Sequence, residues 1–190
     1  LRLGIGANMT VIPNTSSTVQ NAKIFGHLEL MLGAHTITVD EGLATGTGSS
    51  ELTILANVEG VGALQKNGKG RLEMNGANSY AGTTTIEEGE LKIPSALALG
   101  STLSGTRVEF IGSLRLNGVQ VVDETLSLDS IGSPGTGGTT SPNGGTLIAT
   151  GSSSWSGPVT LLRETRIDVA SGGVLDLSGA ISGSGTPSRV

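Results

Sequence analysis

Acidic side chains are the first candidates for chemistry in this chain, because paired carboxylates can act as general acid and base. Three pairs are adjacent in sequence: Asp40-Glu41, Glu87-Glu88 and Asp123-Glu124. Neighbouring side chains of a strand point to opposite faces, so these pairs do not converge. Glu88 and Glu90 share a face at a separation of about 7 Å, which superficially suits glycoside hydrolysis. We interpret Glu87-Glu88-Gly89-Glu90 as a solvated corner, and the sequence predicts no catalytic residue and no enzyme.

Histidine and cysteine offer little further chemistry. His27 and His35 are the 2 histidines, eight positions apart, and no Asp or Cys stands near them at a useful ligand spacing. With 0 Cys, the chain has no disulfide, no thiolate zinc site and no Cys nucleophile. We therefore expect no metal site and no cofactor.

The charge balance argues against a nucleic-acid partner. The 11 Lys and Arg residues are scattered, the 16 Asp and Glu residues outnumber them, and the net charge is −5. Nucleic-acid binding needs a basic face and usually stacking aromatic residues, but aromatic residues make up only 2% of the chain. No apolar run approaches the length of a membrane helix, so we expect no membrane insertion by this segment.

The apolar residues alternate with polar ones in short bursts, which is the pattern of half-buried strands. Examples are Leu28-Glu29-Leu30, Ile37-Thr38-Val39, Leu72-Glu73-Met74, Leu91-Lys92-Ile93, Leu126-Ser127-Leu128 and Ile167-Asp168-Val169. No stretch has a convincing helical period. Gly, Asn, Ser and Asp lie between the bursts and supply turns. Strands this short favour a solenoid, in which each coil adds one short strand per face.

An antiparallel arrangement competes with the solenoid at this point. Four Asn-Gly pairs carry the strongest short hairpin signal: Asn67-Gly68, Asn75-Gly76, Asn117-Gly118 and Asn143-Gly144. Lys66-Asn67-Gly68-Lys69 could join two antiparallel strands. In a solenoid the same pairs are tight corners, because Asn and Gly both tolerate left-handed backbone.

A weak internal repeat favours the solenoid. Residues 165–169 resemble 35–39, residues 173–177 resemble 50–54, and residues 181–185 resemble 58–62. An insertion around Leu43–Ser49 accounts for the change of offset between the first pair and the others. The chain is thus predicted to hold one long repeat and, at 155–190, the start of a second.

The central stretch carries the most specific pattern. Residues 62–91 read GALQKNGKGRLEMNGANSYAGTTTIEEGEL. Over 62–93 the chain resembles the autotransporter-associated β-strand repeat, also called the passenger-associated transport repeat, whose pattern is roughly G-x-L-x-K-x-G-x-G-x-L-x-L-x-G-x-N-x-Y-x-G-x-T-x-I-x-x-G-x-L. Met74 stands where Leu is usual.

The resemblance implies an all-β fold, a right-handed parallel β-helix (β-solenoid) fragment from the passenger of a type V secreted bacterial protein. We expect one domain over 1–190, of about eight coils, at the outer surface or outside the cell. Its implied role is a structural stalk that supports adhesion or self-association. Two alternatives stay open: a carbohydrate-binding or polysaccharide-cleaving β-helix, and a surface fibre subunit that assembles end to end.

Partner contacts are predicted at few positions. Trp155 is either a packing residue or an anchor for a sugar ring, and Arg166 and Asp168 could join it in contacting a ligand. The Gly/Ser/Thr/Pro-rich stretch 132–145 and the Leu43–Ser50 insertion are candidates for a variable binding surface. Expected partners are a second copy through coil ends or strand edges, a host receptor, or a polysaccharide.

Overall fold

The computed structural model describes residues 1–13, 21–42, 50–132, 144–184 and 187–189. All regular elements in these ranges are β-strands, and none of the ranges holds a helix long and apolar enough to cross a membrane. The strands are β1 (Arg2–Leu3), β2 (Met9–Val11), β3 (Ala22–Ile24), β4 (His27–Leu30), β5 (Ala34–Val39), β6 (Leu52–Ile54), β7 (Asn57–Gly60), β8 (Ala63–Asn67), β9 (Arg71–Met74), β10 (Thr84–Ile93), β11 (Thr106–Asn117), β12 (Gln120–Val121), β13 (Leu126–Ser130), β14 (Leu147–Thr150), β15 (Ser152–Trp155), β16 (Val159–Leu161), β17 (Thr165–Val169), β18 (Val174–Leu177), β19 (Ile181–Gly183) and β20 (Pro187–Arg189).

The strands form three columns, which the chain visits in a fixed order. The first column holds β1, β4 and β7 and, later in the chain, β12, β15 and β18. The second holds β2, β5, β8, the starts of β10 and β11, β13, β16 and β19. The third holds β3, β6, β9, the ends of β10 and β11, β14, β17 and β20. One visit to the columns in turn is called a pass here; β7–β9 form the third pass, β10 lies in the fourth and β11 in the fifth.

Adjacent passes pair in parallel, and their register keeps like side chains on top of each other. In the third column Leu52, Leu72, Leu91, Leu114 and Leu147 are successive partners, and each is at most 1% exposed. Burying one such side chain contributes about 1.5–3 kcal/mol. The alternate positions of these strands face outward. The predictions of an all-β chain, of parallel strands and of alternating burial are confirmed.

The hairpin alternative is wrong for the Asn67-Gly68 pair. The flanking strands β8 and β9 do not pair with each other; both pair in parallel with strands of the passes before and after. Gly68 has φ +76°, and a Cβ there would lie 2.5 Å from the Val39 carbonyl oxygen. The pair is a corner that only Gly can turn so close to the preceding pass.

The long strands β10 and β11 each run through two columns. Their register shifts between Ile86 and Glu88 of β10, which marks the corner. On β11 the corner residue Phe110 has φ 52° and an exposed ring. Positive φ is strained for a bulky residue, so the pairing on both sides of the corner must hold Phe110 in place.

Two segments are predicted to form a variable binding surface, and both lie largely outside the described residues. These parts are 43–49 of the Leu43–Ser50 insertion and 133–143 of the 132–145 stretch. The predicted internal repeat matches segments that belong to different columns. Residues 35–39 lie in the second column and 165–169 in the third, while β7 lies in the first and β19 in the second. Each matched segment thus lies one column further on in its second occurrence, and the second repeat at 155–190 stays a prediction.

Candidate functional site

Three charged side chains from three successive passes meet on the outward side of the third column. The Glu90 carboxylate lies 2.5 Å from Arg71 Nε and 2.7 Å from Arg115 Nε. Arg115 Nη2 donates to the second carboxylate oxygen at 2.9 Å, so this contact is bidentate. We call Arg71, Glu90 and Arg115 the charged triad. It joins the third, fourth and fifth passes through side chains alone.

The charged triad is buried although its members alternate with the core leucines. The side chains of Glu90 and Arg71 are 5% and 6% exposed. Burial on its own raises the pKa of Glu90, but the hydrogen bonds and charges of Arg115 and Arg71 outweigh it and hold the pKa below its ordinary value. The carboxylate therefore stays ionised and is unsuited to general acid catalysis. The interpretation of Glu90 as part of a solvated corner is wrong, because Arg71 and Arg115 enclose it.

A second ion pair lies next to the charged triad. Lys92 Nζ lies 3.0 Å from Glu73 Oε2, and Ser50 Oγ donates to the same oxygen at 3.1 Å. Burial favours the neutral acid, but the hydrogen bond and charge of Lys92, with smaller help from Asn75 and Ser50, lower the pKa of Glu73 overall. Glu73 belongs to the third pass and Lys92 to the fourth, so this pair also joins two passes.

A lysine occupies an inward position of the second column. Lys66 is in register with Ile37 and Ile86, and its side chain is fully buried. Its amine donates to three main-chain carbonyl oxygens: Asn67 at 2.9 Å, Gly68 at 2.6 Å and Glu88 at 3.0 Å. The first two belong to the corner after β8 and the third to the next pass. Three acceptors match the three N–H groups of an ammonium ion.

Asn78 and Tyr80 support the first column where the fourth and fifth passes have no strand. Asn78 Nδ2 donates to the Ala98 carbonyl at 2.6 Å, and its Oδ1 accepts from the Val58 amide at 2.9 Å. Tyr80 is fully buried, its hydroxyl lies 2.5 Å from Thr84 Oγ1, and burial raises the pKa of Tyr80. Asn78 thus bonds to the main chain of the passes on either side, and it adds to main-chain hydrogen bonds such as Ser79 N–H to the Val58 carbonyl and Ser101 N–H to the Tyr80 carbonyl.

Trp155 does not lie at the surface. Its side chain is fully buried, and Nε1 donates to the Glu124 carbonyl at 2.8 Å. The Glu124 carboxylate accepts from Thr106 Oγ1 at 2.8 Å; burial raises the pKa of Glu124, and this hydrogen bond opposes the shift. The predicted sugar or partner contact at Trp155 is wrong in this structure, because no face of the indole is free to stack on a ring.

Arg166 and Asp168 lie apart from Trp155, on a strand of another column. Both flank Ile167 on β17, whose inward partner is Leu147, and both are partly exposed. The structure therefore separates the predicted contact set into a buried indole in the first column and two half-exposed charges in the third. A ligand contact at Arg166 and Asp168 stays a prediction.

The two histidines serve different contacts. The His27 ring is half exposed and lies 2.8 Å from Glu59 Oε1. The His35 ring is buried between the carbonyl oxygens of Ala7 at 2.9 Å and Met31 at 2.8 Å. Within the described ranges no three His, Asp or Glu side chains are grouped so that they could hold a metal ion.

Comparisons with known proteins match the part of the chain that holds these contacts. Residues 64–93 match the family model of the passenger-associated-transport-repeat. The chain is 31% identical over 158 residues to the "Adhesin BmaC autotransporter" of Brucella suis biovar 1 (strain 1330), a match that covers 76% of this chain and 4% of the adhesin. No solved structure matches. Lys66, Arg71, Asn78, Tyr80 and Glu90 all lie inside the matched stretch, which is a passenger-associated transport repeat.

Proposed function

We propose that this chain is a stiff segment of an autotransporter passenger, wound as a right-handed parallel β-helix and carried outside the bacterial cell. The observation that carries the proposal is the ordered return of the chain to three columns of parallel strands with like side chains in register. Such a stack grows by adding passes, so its length follows the length of the chain. The similarity to an autotransporter adhesin supports the same role.

The role we propose is mechanical rather than catalytic. Two carboxylates of the repeat already have cationic partners: the buried Glu90 has Arg71 and Arg115, and the half-buried Glu73 has Lys92. A carboxylate committed to such a pair is poorly placed to exchange protons with a substrate. With about 4.8 Å per pass, eight passes give a rod of roughly 40 Å. The segment would hold an adhesive part of a longer protein away from the cell surface, or take part in self-association.

Light scattering after size exclusion, over a range of concentrations, tests the passive stalk directly. A monomer whose mass does not change with concentration supports the stalk, and images of the same fractions should show short single particles. Oligomers that grow with concentration would replace the passive stalk with self-association. End-to-end fibres in the images would favour the surface-fibre alternative.

Carbohydrate binding is a second candidate, and it rests on the outward row of the second column. The row presents hydroxyl, amide and guanidinium groups in register: Gln65, Thr85, Arg107, Ser127 and Thr160. Groups of these types can hydrogen-bond sugar hydroxyls along a chain. Binding to a panel of bacterial and host polysaccharides tests this, with Arg107→Ala as the variant. Equal binding by Arg107→Ala and the native chain, or no binding at all, would remove the candidate.

A further inference from the structure

Lys66 occupies a place that its neighbours fill with aliphatic side chains. In this inward row Ile37 precedes it, and the following partners are Ile86, Val108, Leu128 and Leu161. A methionine or leucine would fill the same space without bringing a charge into the core. Replacing a buried charged group by an apolar side chain is often neutral or stabilising. Stability alone therefore does not explain a lysine here.

The acceptors of Lys66 come from both sides of one seam between passes. Asn67 and Gly68 belong to the corner that Lys66 itself precedes, whereas Glu88 belongs to the fourth pass. The Glu88 carbonyl comes within 3.0 Å of Nζ only because Thr84, Thr85 and Ile86 are paired with Leu64, Gln65 and Lys66. A slip of two residues along the strand would carry this carbonyl about 6.6 Å away.

Apolar rows alone discriminate poorly against such a slip. Side chains of a strand alternate with period two, so a two-residue slip keeps apolar groups inside and polar groups outside. After a slip in one direction Leu64 would face Ile86, and after a slip in the other direction the residue in the place of Lys66 would face Thr84. A buried polar group that finds all its acceptors in a single register makes every other register less stable, because a buried donor left unpaired is costly.

In the part of the chain that the structure describes, the charge of Lys66 is held by carbonyl oxygens and not by a carboxylate partner. Among the described residues no ion pair includes Lys66. Burial lowers the pKa of its amine to about 7, and more distant carboxylates oppose this shift: Glu88, Glu51, Glu90 and Asp40. The amine is thus held chiefly by main-chain carbonyl groups, and the position of one of them, Glu88, depends on the register between the passes.

We propose that Lys66 fixes the register of the fourth pass on the third, acting as a positioning residue for the assembly of the repeat. The three carbonyl oxygens that receive its N–H groups are brought together only when Ile86 is stacked on Lys66. The lysine thus selects one stacking among those that the apolar pattern permits, at some cost in stability.

Engineered cysteine pairs can report this register, because the chain has 0 Cys. Gln65 and Thr85 are in-register partners, so Q65C/T85C should cross-link in the native stacking. Q65C/T83C and Q65C/E87C report slips of two residues in either direction. Each pair is built into the native chain and into Lys66→Met, refolded at about pH 6, where the amine is protonated, and then oxidised under one common condition. Lys69→Met, at an exposed lysine of the same corner, is the matched control.

The native chain and Lys69→Met should yield the Q65C/T85C cross-link and only traces of the other two. In Lys66→Met the off-register cross-links should rise several-fold, while resistance to denaturant stays equal or increases. Equal cross-link patterns in Lys66→Met and Lys69→Met would overturn the proposal. If Lys66→Met gives no folded monomer, the native chain refolded at about pH 9.5 decides, because a neutral amine has two N–H groups for three acceptors. More off-register product at the higher pH supports the proposal, and an unchanged pattern contradicts it.

Discussion

Two ion pairs of this chain join neighbouring passes in similar ways but in different surroundings. Glu90 lies in the repeat and Arg115 follows it on the fifth pass; their side chains are 5% and 11% exposed. Asp129 and Arg163 lie on the later passes, where the side chains are 36% and 47% exposed. In the second pair Arg163 Nε lies 2.5 Å from Asp129 Oδ1, so contact distance does not distinguish the pairs. What distinguishes them is access to water.

Access to water decides where charge specifies structure in a stack of similar passes. An exposed pair can exchange its partner for water at small cost, so it adds little. A buried pair cannot, and the removal of one member leaves an uncompensated charge. The repeat therefore contains buried charges that are costly to misplace, whereas the Asp129–Arg163 pair outside it is open to water.

The largest expected effect comes from Glu90→Gln. The substitution keeps the shape of the side chain but removes the charge that Glu90 presents to Arg71 and Arg115. We expect the free energy of unfolding to fall by about 3–5 kcal/mol. Denaturant unfolding of the purified chain measures it. A loss below about 1 kcal/mol would mean that water reaches the charged triad and that the contrast with Asp129 is unfounded.

The buried amine of Lys66 predicts a specific pH dependence. Its pKa is about 7 in the folded chain and about 10.4 when unfolded, so between these values the unfolded state binds more protons. Stability should therefore rise with pH in this window, by at most about 1.4 kcal/mol per pH unit, and level off below about pH 7. The measured quantity is the difference in unfolding free energy between the native chain and Lys66→Met across the window. A flat difference would show that the amine is hydrated.

Asn78→Ala tests the side chain that supports the strand-free part of the first column. The substitution leaves the buried Val58 amide and Ala98 carbonyl without their partner, which should cost about 2–3 kcal/mol. Asn57→Ala is the control, since Asn57 is exposed and its side chain accepts only from the Ala77 amide at 3.2 Å. Thermal and denaturant unfolding should rank Asn78→Ala well below Asn57→Ala. An equal ranking would contradict a supporting role for Asn78.

The smallest effect is expected at the exposed pair. Asp129→Asn removes its charge where water can solvate Arg163, so the loss should be about 0.2–1 kcal/mol and should shrink in high salt. Salt titration of the unfolding midpoint measures it against Glu90→Gln, whose effect should be nearly independent of salt. A large and salt-independent loss for Asp129→Asn would remove the contrast between the two pairs.

The alternating bursts were sufficient to predict strands and most of the core, but they left an antiparallel arrangement open, and the parallel stacking was predicted from the resemblance to the repeat. Leu72 and Leu91, for example, are inward where the pattern places them. Tyr80, which stands at the Tyr position of the repeat motif, has a fully buried side chain. These features depend on local pattern, which a single sequence carries.

The charged contacts were not predicted, because they depend on register between passes. Nothing local marks Glu90 as the partner of Arg71 and Arg115, which lie 19 and 25 positions away. Two signals were nevertheless present in the sequence. Lys66 stands at an inward position of an alternating strand, and Arg71-x-Glu73 has the opposite order of charges to Glu90-x-Lys92. Trp155 was ambiguous for the same reason, since its burial depends on the Glu124 carbonyl of the preceding pass.

Hydrogen exchange of the native chain, followed by mass spectrometry, tests whether buried charge holds the repeat more firmly than the later passes. Peptides from 64–93 should exchange more slowly than peptides from 144–169, and Glu90→Gln should abolish that difference while Asp129→Asn leaves it intact. Equal or faster exchange of 64–93 in the native chain would contradict the account.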